Sequence, residues 1–404
     1  MEFYTYTLPN GIRGIHRRTT SSVAHCGLIV GSGTRDERTG EFGLAHFTEH
    51  GLFKGTTHRK AYQVNCRLEN LGGELNAYTT KEDTTIHATT LKADFRKAAE
   101  LIADVTFNST FLDREMEREK EVVYDEINSY KDSPAEMIYD NFEDMIFEGS
   151  ELGHNILGTR RDIRKFDNRV IRQFTERAYT TDQMVFSSIG AISNNRIEEI
   201  ATRYFGGVEP STRSFERELP CHVEPFTLTE NHRTHQAHCI IGGRAYSIMD
   251  PRRLPLALLI NILGGPSANS LLNVLVREKH GLTYNVEANY TPYSDSGMVT
   301  IYYSCESANS DKVAKLIYSV IEKLRTVKLT PRQLSMSKRQ FIAQLAISME
   351  SNEGYMLGAG KSYLLHRSID TVEESYRRLS AITAEQICEV ACDVLTDLST
   401  LTYR

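Results

Sequence analysis

The chain has 404 residues, 40% of them hydrophobic and 25% charged. That is too long for one ordinary core and too apolar for disorder, and at roughly 100–200 residues per domain it implies two or three domains. A formal net charge of −6 excludes a general basic footprint for nucleic acid, and no apolar run approaches the ~20 residues that span a bilayer.

Alternating polar and apolar residues predict a strand over 3–8, a turn at Pro9-Asn10-Gly11 and a second strand over 12–16. The N-terminus lacks a basic segment followed by an apolar one, so no secretory signal is expected and the cytoplasm is the expected location. Residues 22–30 predict a third, more buried strand that Gly31-Ser32-Gly33 ends. Helical patterns follow over 43–53 and 60–71, then strands over 74–79 and 84–91. Long helices are predicted over 92–107, 112–131 and 134–147, a strand over 183–190 and a helix over 193–205. Gly206-Gly207 and the polar run Glu209 to Arg213 mark a boundary near mid-chain. Beyond it the order restarts, with a strand over 236–244, helices over 250–263 and 269–279, and strands over 284–291 and 297–304. Helices fill most of 308–395 and a last strand covers 398–403. Strands and helices mixed on this scale indicate layered α+β domains. Ala24-His25-Cys26 and Ala237-His238-Cys239 open corresponding strands 213 residues apart. Together with the repeated element order, they indicate an internal duplication. The expected division is a first domain over 1–208, a linker over 209–225 and a second domain over 226–404.

Seven cysteines, an odd number without a disulfide-scaffold spacing, read as reduced thiols. Cys388 and Cys392 could share a helix face, although buried helical cysteines are common without a metal. The histidines are more informative. His46-Phe47-Thr48-Glu49-His50 lies on the helix predicted over 43–53. Histidines at i and i+4 project from one face a turn apart, the separation that a single zinc ion needs from two helical ligands. Glu49 lies beside that face, where it can reach a water on the metal without ligating it; this is the H-x-x-E-H order. A catalytic zinc needs a third protein ligand and an open position. Among the carboxylates of the helix over 112–131, Glu119 and Glu126 are seven apart and share a face, with Val122 and Val123 expected to pack inward there. Glu126 as ligand with Glu119 behind it fits, but spacing alone does not choose between the two. His25 and His238 read as satisfied strand residues, and His58, His87, His154 and His280 as isolated.

These residues, with Gly51-Leu52-Phe53-Lys54-Gly55-Thr56 after them, resemble the inverted-zincin metallopeptidases, the family of pitrilysin, insulin-degrading enzyme and mitochondrial processing peptidase. The resemblance extends through Gly72 to Thr79, Glu119 to Ile127 and Arg277 to Tyr284, and so covers both halves of the chain. It implies two duplicated domains, each a mixed, largely antiparallel sheet packed against helices. It implies one Zn2+ per chain held by His46, His50 and Glu126, with Glu49 as general base and Glu119 as its helper. Arg277 and Tyr284 would assist at the substrate carbonyl, and the strand around Asn76, Ala77 and Tyr78 would bind an extended peptide as an added strand. The implied activity is a zinc endopeptidase acting on unfolded peptides or presequences. The implied assembly is a homodimer closing around a chamber, with the zinc-bearing half of one copy facing the Arg277/Tyr284 half of the other. A non-catalytic or partner-dependent subunit is the alternative, but degenerate subunits lose zinc residues and here all are intact. Counting 213 on from the zinc helix lands on Leu259-Ile260-Asn261-Ile262-Leu263, which offers no ligand, so the second half is expected to be metal-free. One departure from the family pattern is the segment Gly264 to Leu271, which lacks the arginine often found there.

Overall fold

The computed structural model describes residues 3–232 and 234–404. In the first half, β1 (Tyr4–Thr7) and β2 (Arg13–Arg18) form a hairpin, followed by β3 (Val23–Val30), α1 (Leu44–Leu52) and α2 (Ala61–Glu69). The hairpin β4 (Glu74–Thr79) and β5 (Thr84–Leu91) leads into α3 (Phe95–Phe107), α4 (Asp113–Lys131) and α5 (Pro134–Ile146). Then come α6 (Arg160–Ile163), α7 (Asn168–Ala178), β6 (Met184–Gly190) and α8 (Asn194–Phe205). The second half runs β7 (Thr227–Glu230), β8 (Ala237–Ala245), α9 (Arg253–Gly264), a π-helical segment Asn273–Lys279, β9 (Asn285–Pro292) and β10 (Gly297–Cys305). It ends with α10 (Ser310–Thr326), α11 (Pro331–Ser348), α12 (Asn352–His366), α13 (Val372–Ala381), α14 (Ala384–Val394) and β11 (Ser399–Tyr403). The sequence reading omits α6, α7 and β7. For α7 the signal was present: Ile171, Phe174 and Ala178 are buried at helical spacing, behind an Asp167 cap on the Val170 amide. For β7 it was not, since its first three residues are exposed and show no alternation.

The chain forms two compact units. One comprises Met1–Asn128, His154–Glu218 and Ile347–Thr371; the other comprises Ser129–Gly153, Leu219–Ala346 and Val372–Arg404. Two segments therefore cross the division expected near residue 208: α5 packs with second-half strands and α12 with first-half strands. The first unit holds a six-stranded sheet in the order β1-β2-β6-β3-β5-β4, in which only β2 and β6 run parallel. One face carries the main core with α1, α3, α7 and α8. The other is covered by α12, whose Ala359 meets Ile15 and Val185. Helices on both faces explain why β6 is buried throughout, a pattern of continuous rather than alternating apolar character.

The second unit repeats this plan without the first strand. Its order is β7-β11-β8-β10-β9, with β7 and β11 parallel and the other pairs antiparallel. β3 and β8, which carry the repeated Ala-His-Cys, occupy matching places. α9, α10 and α14 cover one face, and α5 covers the other through Ile138, Phe142 and Ile146. The α+β class with two sheets packed by helices is what the sequence predicts. No described helix is long and apolar enough to cross a membrane.

Candidate metal centre and active-site cleft

The metal centre begins with how α1 starts. Gly43, just before the helix, adopts φ +93°, and a Cβ there would lie 2.6 Å from the Leu157 carbonyl oxygen, so only glycine fits. The Glu37 carboxylate accepts from the amides of Gly43 (2.9 Å) and Ala45 (2.7 Å), satisfying donors that a helix start leaves free. His154 Nε2 lies 3.0 Å from the same carboxylate, and its ring stacks on Phe42. His154, isolated in the sequence, is thus part of the support for this helix. Apolar Leu44, Phe47 and Leu52 bury one side of α1 and leave His46, Glu49 and His50 on the other.

His46 Nε2 and His50 Nε2 lie 3.2 Å apart, and Glu126 Oε2 is 3.8 Å from the first and 3.6 Å from the second. Donor atoms 2.0–2.1 Å from a tetrahedral zinc are separated by about 3.3–3.4 Å, so this triangle is close to the size that such an ion needs. Among the described residues it is the one group of three or more such side chains that could hold a metal. Glu126 Oε2 is shielded from solvent yet accepts no hydrogen bond among the described residues, the state of an atom whose natural partner is a cation. Burial, reinforced by the neighbouring His50, pushes His46 down to about 3, so it stays neutral and available as a ligand. The donor set fits zinc.

His50 Nδ1 donates to Glu119 Oε1 at 2.8 Å, which turns the Nε2 lone pair toward the metal position. Glu119 Oε2 lies 2.6 Å from Lys54 Nζ. Burial alone would raise the Glu119 carboxyl, but the bonds from His50 and Lys54 outweigh it and hold the group below its ordinary value. Burial also opposes protonation of His50, yet the bond to Glu119 and the charges of Glu126, Glu119 and Glu49 raise it overall. The face of α4 differs from the expected one in one respect. Val123 is buried beside Glu119, whereas Val122 is 44% exposed, because consecutive helical residues turn by about 100°.

Glu49 accepts from the Thr79 hydroxyl at 2.6 Å. Burial raises its carboxyl, and the Thr79 bond partly offsets that. Thr79 ends β4, the edge strand of the sheet. The Thr80 amide donates to the Asp83 carbonyl at 2.8 Å, so residues 80 and 83 form a hydrogen-bonded pair. Antiparallel alternation then turns the backbone groups of Ala77 toward the free edge, while Asn76 and Tyr78 bond to β5. A cleft of about 410 Å³ runs along this strand, lined by Glu49, His50 and Glu119 together with Leu75, Asn76 and Ala77. The Tyr78 ring turns to the opposite face, where Lys361 Nζ sits 4.9 Å from its centroid.

Arg277 and Tyr284 belong to the second unit. Tyr284 is 91% exposed, directly before β9, and Arg277 pairs with Glu278 at 3.0 Å. In that unit α9 and α11 match α1 and α4 in element order, and among the described residues no group of three or more ligating side chains is found there. Asn261 donates to Gln344 Oε1 at 2.9 Å, and Gln344 donates to Ser267 Oγ at 2.9 Å. The Cys388 and Cys392 thiols both donate to the Arg325 carbonyl oxygen.

The chain that carries this arrangement is similar to known proteins in sequence and in fold. The insulinase domain of peptidase family M16 matches residues 15–160, and the M16 inactive domain matches 165–341. An uncharacterized zinc protease, YmxG, of Bacillus subtilis (strain 168) is 34% identical over 395 residues, 97% of this chain and 95% of the relative. An uncharacterized zinc protease, ML0855, of Mycobacterium leprae is 28% identical over 96% of this chain and 88% of its own length. The chain belongs to peptidase family M16, the insulinase family. In fold it is similar to the crystal structure of a protease from Helicobacter pylori (TM-score 0.91, 20% identity, 100% of this chain and 99% of that one). It is also similar to an M16 inactive-domain structure from Pseudomonas fluorescens (TM-score 0.92, 19% identity, 100% and 98%).

Proposed function

We propose that the chain is a zinc-dependent endopeptidase that hydrolyses unfolded peptides. The observation that carries this reading is the convergence of the His46, His50 and Glu126 donors beside a half-buried Glu49 and an edge strand. His46, His50 and Glu126 would hold the zinc, which when bound would supply Lewis-acid activation of water and of the peptide carbonyl. The residues do the rest. An extended peptide pairs with β4 through Ala77, a recognition that reads backbone rather than sequence. Glu49 takes the proton of the attacking water and passes it to the leaving amine. Glu119 keeps His50 in its ligating tautomer, and Arg277 and Tyr284 supply hydrogen bonds to the developing oxyanion.

The test is cleavage of a quenched, unstructured peptide by protein of measured zinc content. Glu49→Gln should retain about one zinc per chain and lose about 10²–10⁴ in rate, the usual contribution of a general base. Equal turnover in that variant removes Glu49 from the mechanism. A zinc-loaded wild type that cleaves nothing favours the partner-dependent subunit instead. We place the active form as a homodimer, because one chain carries both the zinc residues and Arg277 with Tyr284. Sedimentation paired with the assay should find activity with the dimer, and a fully active monomer refutes this assembly.

A further inference from the structure

Residues 211–218, read from the sequence as linker, are fastened to the first unit. Ser211 and Thr181 each donate an amide to the other's hydroxyl, at 2.9 and 3.1 Å, and the Arg213 amide donates to Asp182 Oδ1 at 3.1 Å. The fastening ends in a cluster of two cations and two carboxylates. Arg217 donates from Nε and Nη2 to the two oxygens of Asp36, each at 2.9 Å, and from Nη2 to the Glu82 carbonyl oxygen at 2.9 Å. Its Nη1 lies 3.3 Å from Glu82 Oε1, which also accepts from Arg35 Nη1 at 2.7 Å. Arg35 Nη2 in turn donates to the Glu218 carbonyl oxygen at 2.7 Å. The four side chains are only 0–13% exposed, and charges so shielded persist because each is paired.

What the cluster joins gives it a bearing on the metal centre. Asp36 precedes Glu37, which caps α1, and Glu82 lies in the turn of the β4–β5 hairpin, just after the Thr79 that bonds Glu49. Backbone bonds zip the same loop to the same turn, Thr34 N to Thr80 O at 3.2 Å and Arg35 N to Lys81 O at 2.8 Å. One guanidinium thus ties the support of the metal helix to the strand that holds Glu49. Lysine would keep the charge there but not the fork that reaches both segments.

We propose that Arg217 is a positioning residue for the reaction: it sets the register between the Asp36–Glu37 loop and the β4–β5 turn, and through Thr79 the place of Glu49 beside the metal ligands. The inference rests on the peptidase reading above and adds to it a residue outside the cleft. The test is Arg217→Lys, which keeps the charge balance, measured on folded protein. At saturating zinc its kcat should fall about 10–100-fold, the scale of a small misplacement of reacting groups. KM should stay within about twofold, because the peptide still pairs with β4 through Ala77. Thr79→Val should also lower kcat, and the double variant should be little worse than the poorer single one, since both act on the same bond. Zinc affinity of Arg217→Lys against a competing chelator should fall about tenfold, because the loop carries Glu37. If Arg217→Lys does not fold, Glu82→Gln, which keeps an oxygen toward Arg217, should show smaller losses of the same kind. A folded variant with wild-type kcat, or losses that simply multiply with those of Thr79→Val, overturns the proposal and leaves the peptidase reading intact. If the wild type cleaves no peptide, that reading falls and the chelator titration decides alone: unchanged zinc affinity in the variant then overturns this proposal too.

Discussion

At the residue scale the centre is defined by which atoms have partners without a metal and which do not. Glu119 satisfies both His50 and Lys54, so its value lies in orientation and charge, whereas Glu126 Oε2 accepts no hydrogen bond among the described residues. The two carboxylates therefore fail differently. Glu119→Gln keeps the shape and one acceptor but loses the charge that favours a proton on His50. Zinc must displace that proton, and a raised His50 means that competition begins above the ordinary histidine range and grows as pH falls. We expect Glu119→Gln to weaken zinc binding about 10–100-fold near pH 8, as loss of such a supporting group usually does. It should also move the fall in affinity to lower pH, because the leading cause of the upward shift is gone. Zinc affinity measured against a competing chelator across pH checks both; an unchanged pH profile shows that Glu119 does not govern the His50 proton.

At the scale of the element, α1 works because something other than its own sequence holds its start. Glu37 caps two amides from outside the helix and is itself held by His154. Glu37→Gln leaves one oxygen for two donors, and a buried unsatisfied amide costs about 1–3 kcal/mol. We expect a lower Tm and a reduced zinc content, restored toward normal by excess zinc. A variant with wild-type stability and metal content shows that the cap is dispensable. Such contacts explain what could be read from the sequence. The His46–His50 spacing was legible because the periodicity of a single helix produces it. Whether Glu119 or Glu126 ligates was not, because both lie on one face of α4 and the choice is made by where α1 crosses. Thr79, Glu37 and His154 reach the centre across 30, 8 and 117 residues of chain, and no local pattern encodes those meetings. Tyr78 shows the same limit: strand alternation separates its ring from Ala77, but only the packed sheet shows which face meets zinc.

For the whole molecule, the duplication is more than a repeated sheet. Each unit completes itself with a helix from the other half of the chain, α5 in one and α12 in the other. The sequence reading predicts α5 as a helix over 134–147 and α12 only within the helices that fill most of 308–395, and it says nothing of which sheet they cover, so the domain boundary expected near residue 208 does not anticipate the exchange. Its energetic weight can be judged from the contacts α12 makes in the first unit. Ala359 and the partly buried Tyr363 and Leu364 cover Ile15 and Val185. Arg13 donates to the carbonyl oxygens of Tyr363 (2.9 Å) and Leu364 (3.2 Å), and the Ser187 hydroxyl donates to Met356 O at 2.8 Å. A fragment of residues 1–218 has every zinc ligand but lacks this cover, which leaves a sheet face apolar, open and prone to association. It also carries α5 without the strands that α5 covers. We therefore expect the fragment alone to be insoluble or to lack cooperative unfolding and stoichiometric zinc. Co-expression with residues 219–404 should restore both properties, because each piece then supplies the helix that the other needs. Metal analysis and thermal unfolding of the fragment alone and of the co-expressed pair decide the matter. A 1–218 fragment that is monomeric, binds zinc and melts cooperatively shows that α12 is an ornament to the first unit rather than part of its core.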